Sequence, residues 1–365
     1  MTDCLIVGGG AIGMLSALLL AERGRRVALY ERGALGRESS WAGGGIVSPL
    51  YPWRYPDAVT ALARYSQRHY PAFLARLREQ TDIDPELLDS GLLMLDPPEP
   101  GMDEWAARWE MTIEHLRGAA ALAAVQPGLA PEFDEGLWMP EVRQVRNPRL
   151  VRALAAAVRA HPAIVVHEGA AVRAVRVAQG AVQGVDTADG PVAAPCVLVT
   201  AGAWSAGLLP AGCAPERPAV RPVKGQMIVF RTTPGTLTRM VMHQGRYLIP
   251  RRDGLVLAGS TLEEEGFDKT PTEAARAELT EAARAIFPAL ADCPVVYQWA
   301  GLRPGTPHGI PYIGQCPAVR GLFVNAGQFR NGIVMGLGSA RLGVDLITGE
   351  SPLVDPAPYA LDAPH

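Results

Sequence analysis

The stretch Asp3-Cys4-Leu5-Ile6-Val7-Gly8-Gly9-Gly10-Ala11-Ile12-Gly13-Met14, almost at the start of the chain, decides the fold. Asp3 to Val7 is a short apolar run. Ala11 to Arg23 reads as a buried helix ended by Gly24, and Val27 to Glu31 is a second apolar run. The order is therefore strand, glycine turn, helix, strand. In such a turn Gly8 permits the sharp bend, Gly10 lets the backbone approach a pyrophosphate, and Gly13 lets the helix pack close to the strand. Glu31 stands 18 residues past Gly13, where a carboxylate accepts hydrogen bonds from ribose hydroxyls. The free N–H groups at the helix start favour the diphosphate. This predicts a site for a dinucleotide with an ADP half, which NAD and FAD share.

Working outward, Gly33 to Ser48 is a Gly/Ser-rich loop. Val59, Leu62, Ala63, Ser66, Tyr70, Phe73, Leu74 and Leu77 then recur at helical spacing over Asp57 to Glu79. A strand is expected at Gly91 to Leu95, a helix from Trp105 to Leu116, and a polar loop over Glu132 to Glu141. A helix at Arg149 to His161 follows, with apolar runs at Ile164 to Glu168 and Cys196 to Thr200 flanking alternating strands at Val172 to Ala178 and Ala181 to Thr187. Arg221 to Trp299 is rich in strand patterns, among them Gln226 to Phe230, Tyr247 to Pro250 and Leu255 to Ser260, with one helix at Thr272 to Ile286. Leu322 to Ala326 reads as a strand and Ile333 to Ile347 as a helix before Gly349.

Nucleotide-type strands thus occur at the start, middle and end of the chain. The expected fold is α/β: a discontinuous Rossmann-like domain over 1–80, 145–218 and 300–350, and an α+β substrate domain with a mainly antiparallel sheet over 81–144 and 219–299. Residues 351–365 are Pro-rich and expected to trail over the surface.

Composition narrows the function. A net charge of -3 from 34 basic and 37 acidic residues, with no Lys/Arg block, argues against nucleic acid as a partner. Cys4, Cys196, Cys213, Cys293 and Cys316 are scattered without C-x-x-C spacing, so neither a disulfide framework nor a metal site is expected, and the chain belongs in a reducing compartment. No signal peptide is read, and the longest apolar stretch, Ala11 to Ala21, is short of the roughly 20 residues that cross a bilayer. A cytoplasmic protein without an integral membrane segment is expected, and a homo-oligomer stays open.

Two further glycine turns follow apolar runs, at Thr200-Ala201-Gly202-Ala203-Trp204 and Gly327-Gln328-Phe329-Arg330-Asn331-Gly332-Ile333. A flavin gains negative charge on reduction and benefits from a helix start aimed at it, whereas a nicotinamide does not, so the turn before the terminal helix favours FAD. The blocks Gly301-Leu302-Arg303-Pro304-Gly305-Thr306 and Phe329-Arg330-Asn331-Gly332-Ile333, with Glu38-Ser39-Ser40-Trp41-Ala42-Gly43 and Val199-Thr200-Ala201-Gly202-Ala203-Trp204, resemble the D-amino-acid oxidase family of flavoproteins, most nearly its glycine oxidase branch of thiamine biosynthesis. The resemblance runs from residue 3 to about 350.

It implies non-covalent FAD held by Gly8, Gly10, Gly13, Glu31, Arg32, Ser39, Ser40, Ala42, Gly43, Val172, Gly202, Trp204, Asn331, Gly332 and Ile333. It implies that Arg303 and Tyr247 hold a substrate carboxylate, with Arg330 a second arginine near the flavin. An arginine between Gly301 and Pro304 also suits a fixed bidentate clamp on its own chemistry. The implied reaction is oxidative deamination of glycine, a small amine or a D-amino acid, by hydride transfer from the α-carbon to flavin N5, with oxygen as acceptor and an oxo acid, ammonia and hydrogen peroxide as products. A D-amino-acid dehydrogenase passing electrons to a quinone or carrier is the alternative. Cys316 reads as a structural thiol, His243 as a loop or core residue near Tyr247 rather than a lining one, His69, His115, His161 and His167 as histidines with no acid or serine partner at a recognisable spacing, and Tyr51 and Trp53 as a departure that leaves the substrate's size open.

Overall fold

Five of the apolar runs lie side by side as parallel strands. In the computed structural model, which describes residues 2–214 and 218–363, a six-stranded sheet has the order Tyr312–Gln315, Leu322–Ala326, Val197–Val199, Cys4–Val7, Val27–Tyr30, Ile164–His167. Only the edge strand Tyr312–Gln315 runs antiparallel. Alternate residues enter different cores. Cys4, Ile6, Leu29 and Leu198 face the helices Ala11–Glu22, Asp57–Thr81, Asn147–Ala160 and Gly336–Thr348. Leu5, Val7, Ala28 and Val197 face Val175, Val182 and Val185 of a three-stranded sheet formed by Val172–Ala178, Ala181–Thr187 and Gly190–Ala193. Burial on both faces is why these strands are continuously apolar rather than alternating.

The second large sheet has eight strands in the order Val295–Gly305, Arg221–Arg231, Leu255–Gly259, Arg246–Pro250, Met240–His243, Leu92–Met94, Glu135–Met139, Glu114–Arg117. All neighbours are antiparallel except Met240–His243 beside Leu92–Met94. Ile228, Phe230 and Val241 pack on Leu279, Ala283 and Ile286 of helix Glu273–Ile286. Met227, Met242 and Ile249 on the other face join Tyr51, Trp53 and Trp105. The fold class is thus α/β with a mainly antiparallel second sheet.

Several local expectations are corrected. The helix expected to Leu116 stops at Trp109, and Glu114–Arg117 is instead an edge strand. The polar loop expected at Glu132 to Glu141 holds strand Glu135–Met139, since Leu137, Trp138 and Met139 find apolar neighbours in strand Leu92–Met94 that local sequence does not reveal. The terminal helix starts at Gly336, after a 3₁₀ turn at Phe329–Asn331. The tail does not trail away: Tyr359 is buried, with its hydroxyl donating to the Ala58 carbonyl at 2.7 Å, and Leu361 is buried too. Cys213 and Cys316, 103 residues apart, lie side by side in the core with their Cα atoms 5.3 Å apart. The expected boundary at 218 adjoins residues 215–217, which with 364–365 at the tail's end lie outside the described residues. Among the described residues no helix is long and apolar enough to cross a membrane.

Candidate active site

The glycine turn folds as its spacing requires. Gly8 has φ 111°, and a Cβ there would stand 2.6 Å from the Thr200 carbonyl oxygen. A Cβ on Gly13 would fall 2.0 Å from the Gly8 carbonyl oxygen, so the third glycine seats helix on strand. Gly10 differs: its Cβ would meet only Ser40 Oγ, at 3.3 Å, and would point into a cavity of about 420 Å³ between the two large sheets. Glu31 follows strand Val27–Tyr30, its carboxylate accepting the Gly9 N–H at 2.8 Å and the Gly33 N–H at 2.9 Å. Fixed this way, it lines the same cavity.

Next along the wall is the short helix Ser39–Ala42. Ser40 Oγ accepts the Ala11 N–H at 2.9 Å, and Asn147 Nδ2 donates to the Ser40 carbonyl at 2.9 Å. Trp299 Nε1 donates to the Ala42 carbonyl at 2.9 Å, and a Cβ on Gly301 would sit 2.5 Å from Ala42 Cβ. These contacts fasten the edge strand Val295–Gly305, which carries Arg303, to the glycine-turn side. Arg251 reinforces the junction from the interior: its Nη2 donates to the Gly44 carbonyl at 2.7 Å and its Nη1 to the Val145 carbonyl at 3.0 Å and to Gln144 Oε1 at 2.6 Å. Burial pulls its guanidinium down to about 10.

Tyr247, Arg303 and Arg330 line the same cavity. Arg303 Nη2 donates to Ser260 Oγ at 2.8 Å and Nη1 to the carbonyls of Thr261 at 3.2 Å and Lys224 at 3.3 Å. Among the described residues no carboxylate forms an ion pair with it, although the charge of Glu263 is felt there, and its hydrogen bonds go to neutral acceptors. Burial pushes the guanidinium below its ordinary value; the neighbouring Tyr247 hydroxyl works the other way, and the charge of Arg330 adds to the lowering. The Tyr247 ring is buried.

Of the residues singled out in the sequence, the cavity gathers Gly8, Gly10, Glu31, Arg32, Ser39, Ser40, Ala42, Gly43, Val172, Gly202, Trp204, Gly332 and Ile333 with Tyr247, Arg303 and Arg330. Gly13 lies beneath the turn and Asn331 does not line the cavity, although its buried Nδ2 has no hydrogen-bond partner among the described residues. His243 is elsewhere, with Nδ1 3.1 Å from the Leu95 carbonyl and its ring against Phe133. The Tyr51 hydroxyl donates to Asp96 at 2.8 Å and Trp53 Nε1 to Glu99 at 2.9 Å, so neither side chain enters the cavity, which Ile46, Ser48 and Leu50 line instead. Sequence reasoning missed Gly225, Ser260, Thr261 and Arg251. Gly225 alone left a local mark, a glycine inside a strand, which signals close approach of another group.

These residues fit a dinucleotide: glycine backbone beside a fixed carboxylate, with the cations Arg303 and Arg330 on the same wall, in a cavity of the size ligand sites occupy. Comparison with known proteins gives the same reading. The family model described as FAD-dependent oxidoreductase (DAO) matches residues 3–346. Glycine oxidase of Pseudomonas aeruginosa is 49% identical over 358 residues, covering 98% of this chain and 97% of that protein. The crystal structure of glycine oxidase from Geobacillus kaustophilus superposes with a TM-score of 0.91 at 31% identity, covering 100% of this chain and 99% of that one. That of iminodiacetate oxidase from Chelativorans sp. BNC1 gives 0.86 at 25% identity, with both chains fully covered. The chain belongs to the DAO family of FAD-dependent oxidoreductases, and FAD is its cofactor.

Proposed function

We propose that the chain is a glycine-oxidase-like enzyme, oxidising glycine or another small amine or D-amino acid to an imine that water hydrolyses to the carbonyl product, an oxo acid where the substrate is an amino acid, and ammonia, with oxygen as electron acceptor reduced to hydrogen peroxide. The observation that carries this is the convergence of Tyr247, Arg303 and Arg330 on the cavity that Gly8, Gly10 and Glu31 line. Arg303 presents its fork to the substrate carboxylate, oriented by Ser260 and the two carbonyls behind it. The Tyr247 hydroxyl donates to the same carboxylate, and Arg330 adds a second positive charge. Bound FAD, held without a covalent link, supplies the acceptor for the hydride that leaves the α-carbon. Once the carboxylate is fixed at two points, the α-carbon has one orientation, so positioning rather than proton transfer by a side chain carries most of the rate. Met227, Leu50 and Ile46 give the wall an apolar stretch.

Gly8, Gly10, Glu31, Arg32, Ser39, Ser40, Ala42, Gly43, Val172, Gly202, Trp204, Gly332 and Ile333 are assigned to FAD in this reading. Cys316, buried against Cys213 and absent from the cavity wall, has no part in holding it. The test is anaerobic mixing of the holoenzyme with glycine, sarcosine, small D-amino acids and iminodiacetate, watching flavin absorbance, followed by air. Bleaching by at least one amine, with rapid recovery and stoichiometric peroxide in air, is expected. No bleaching by any of them refutes amine oxidation, and bleaching with slow recovery assigns the acceptor to a quinone or carrier.

A further inference from the structure

Between strand Leu255–Gly259 and helix Glu273–Ile286 the chain makes a long excursion, residues 260–272, with a half-exposed phenylalanine on it: Phe267 is 52% exposed. Its ring is stacked on Trp204, centroids 5.2 Å apart at an interplanar angle of 28°. The Arg32 guanidinium lies on the same indole, 3.7 Å from its centroid. Arg32 and the phenyl ring thus both pack on the indole, linking the loop to the segment that follows the glycine-turn unit. A charged contact runs beside it, with Lys269 Nζ 2.9 Å from Glu38 and Arg32 3.0 Å from the same carboxylate. The loop is anchored at its base by Lys224, 2% exposed, whose Nζ lies 3.5 Å from Glu263 and 3.9 Å from Asp268. Trp204, Arg32 and Glu38 line the cavity, whereas Phe267 and Lys269 stand behind them.

We propose that this loop completes the FAD site from the opposite sheet: Phe267 and Lys269 are positioning residues that hold Trp204, Arg32 and Glu38 against the dinucleotide end of the cavity and slow the departure of FAD. The proposal rests on the reading of Trp204 and Arg32 as cofactor contacts. A half-exposed aromatic ring contributes little to the core, but stacking on a partner fixes that partner's rotamer, and a cation held over the same indole restricts it further. Lys269 and Arg32 share one carboxylate, so Glu38 cannot swing away without giving up two partners.

The experiment dilutes the holoenzyme and follows the rise of flavin fluorescence as FAD leaves, for wild type, Trp204→Ala, Phe267→Ala and Phe267→Tyr, with the unfolding midpoint of each FAD-free protein measured alongside. Phe267→Ala is expected to release FAD about three- to tenfold faster, the loss a stacked pair represents, with its FAD-free unfolding midpoint unchanged. Phe267→Tyr, which keeps the ring, stays within about twofold of wild type. Faster release from Trp204→Ala with no change in Phe267→Ala overturns the loop's role and leaves Trp204 a cofactor contact. No change in Trp204→Ala removes the reading on which the proposal stands, and the proposal with it. A Phe267→Ala protein whose FAD-free form is destabilised in step with faster release also overturns it, since that effect belongs to the fold.

Discussion

Gly225 lies under the guanidinium of Arg303: a Cβ on it would be 2.0 Å from Nη1 and 2.2 Å from Nη2. The arginine fork is therefore laid flat on bare backbone of the neighbouring strand, and its direction depends on a side chain that is missing. Gly225→Ala is expected to displace the fork and raise KM for amino-acid substrates about 10- to 100-fold, the range of one charged hydrogen bond. Steady-state kinetics measure it, and an unchanged KM would show that the fork's position does not matter to binding.

Arg303→Lys keeps the charge and loses the planar fork. Apparent affinity for the amino-acid substrate is expected to fall at least about tenfold in titrations of flavin bleaching, because an ammonium cannot satisfy a carboxylate bidentately while also reaching Ser260. Ser260→Ala, which removes one support of the fork, is expected to cost about two- to fivefold.

Two glycines of the turn separate fold from cofactor. Gly10→Ala adds a methyl that meets only Ser40 Oγ, at 3.3 Å, and otherwise faces the cavity, whereas Gly13→Ala drives one to 2.0 Å from the Gly8 carbonyl. The first is expected to unfold, as FAD-free protein, within about 1 kcal/mol of wild type but to purify colourless. The second is expected to lose about 3 kcal/mol or fail to accumulate. Denaturant unfolding with absorbance at the flavin bands distinguishes them, and a yellow Gly10→Ala protein would contradict the close-approach role.

Arg251→Met leaves the carbonyls of Gly44 and Val145 and the amide oxygen of Gln144 without their donor in the interior. A loss of about 2 to 4 kcal/mol in denaturant unfolding of the FAD-free protein is expected, with weaker FAD retention because Gly44 lines the cavity. Equal stability would mean that water replaces the guanidinium.

Glu263 gives the pH dependence. Burial raises its carboxyl, but the Thr261 hydroxyl, the Gln226 amide and the Lys224 ammonium outweigh that and hold it below its ordinary 4.5. A carboxyl depressed in the folded state adds stability that is complete above its unfolded value and is lost as pH falls through the folded value. Unfolding free energy is therefore expected to drop as pH falls below about 4.5, and less steeply in Glu263→Gln. Parallel curves for the two proteins would deny the group this role.

The ADP half of the site was legible because its tasks are local. A turn, an approach and a packing contact are all written within Gly8 to Gly13, and Glu31 follows one helix and one strand later. Tyr247 and Arg303 came instead from resemblance, since nothing near either one says that they face a common cavity. Their supports were hidden for the same reason: Arg303 reaches the Lys224 carbonyl across 79 residues and Ser260 across 43, and Arg251 reaches Gly44 across 207. Glu135–Met139 read as a loop because its partner strand, Leu92–Met94, is distant and short. The tail's anchor, Tyr359 on Ala58, joins positions 301 residues apart and leaves no periodic trace.

The parallel sheet also fixes when the molecule can mature. Strand Cys4–Val7 pairs with Val197–Val199, which in turn pairs with Leu322–Ala326, and the cavity wall runs from Gly8 to Ile333. During synthesis at roughly 5–20 residues per second, the first glycine turn leaves the ribosome tens of seconds before the strand and turn that complete its pocket. The nascent chain therefore carries an unfinished apolar sheet until Leu322–Ala326 has emerged, and capture of FAD waits for that strand and the turn after it.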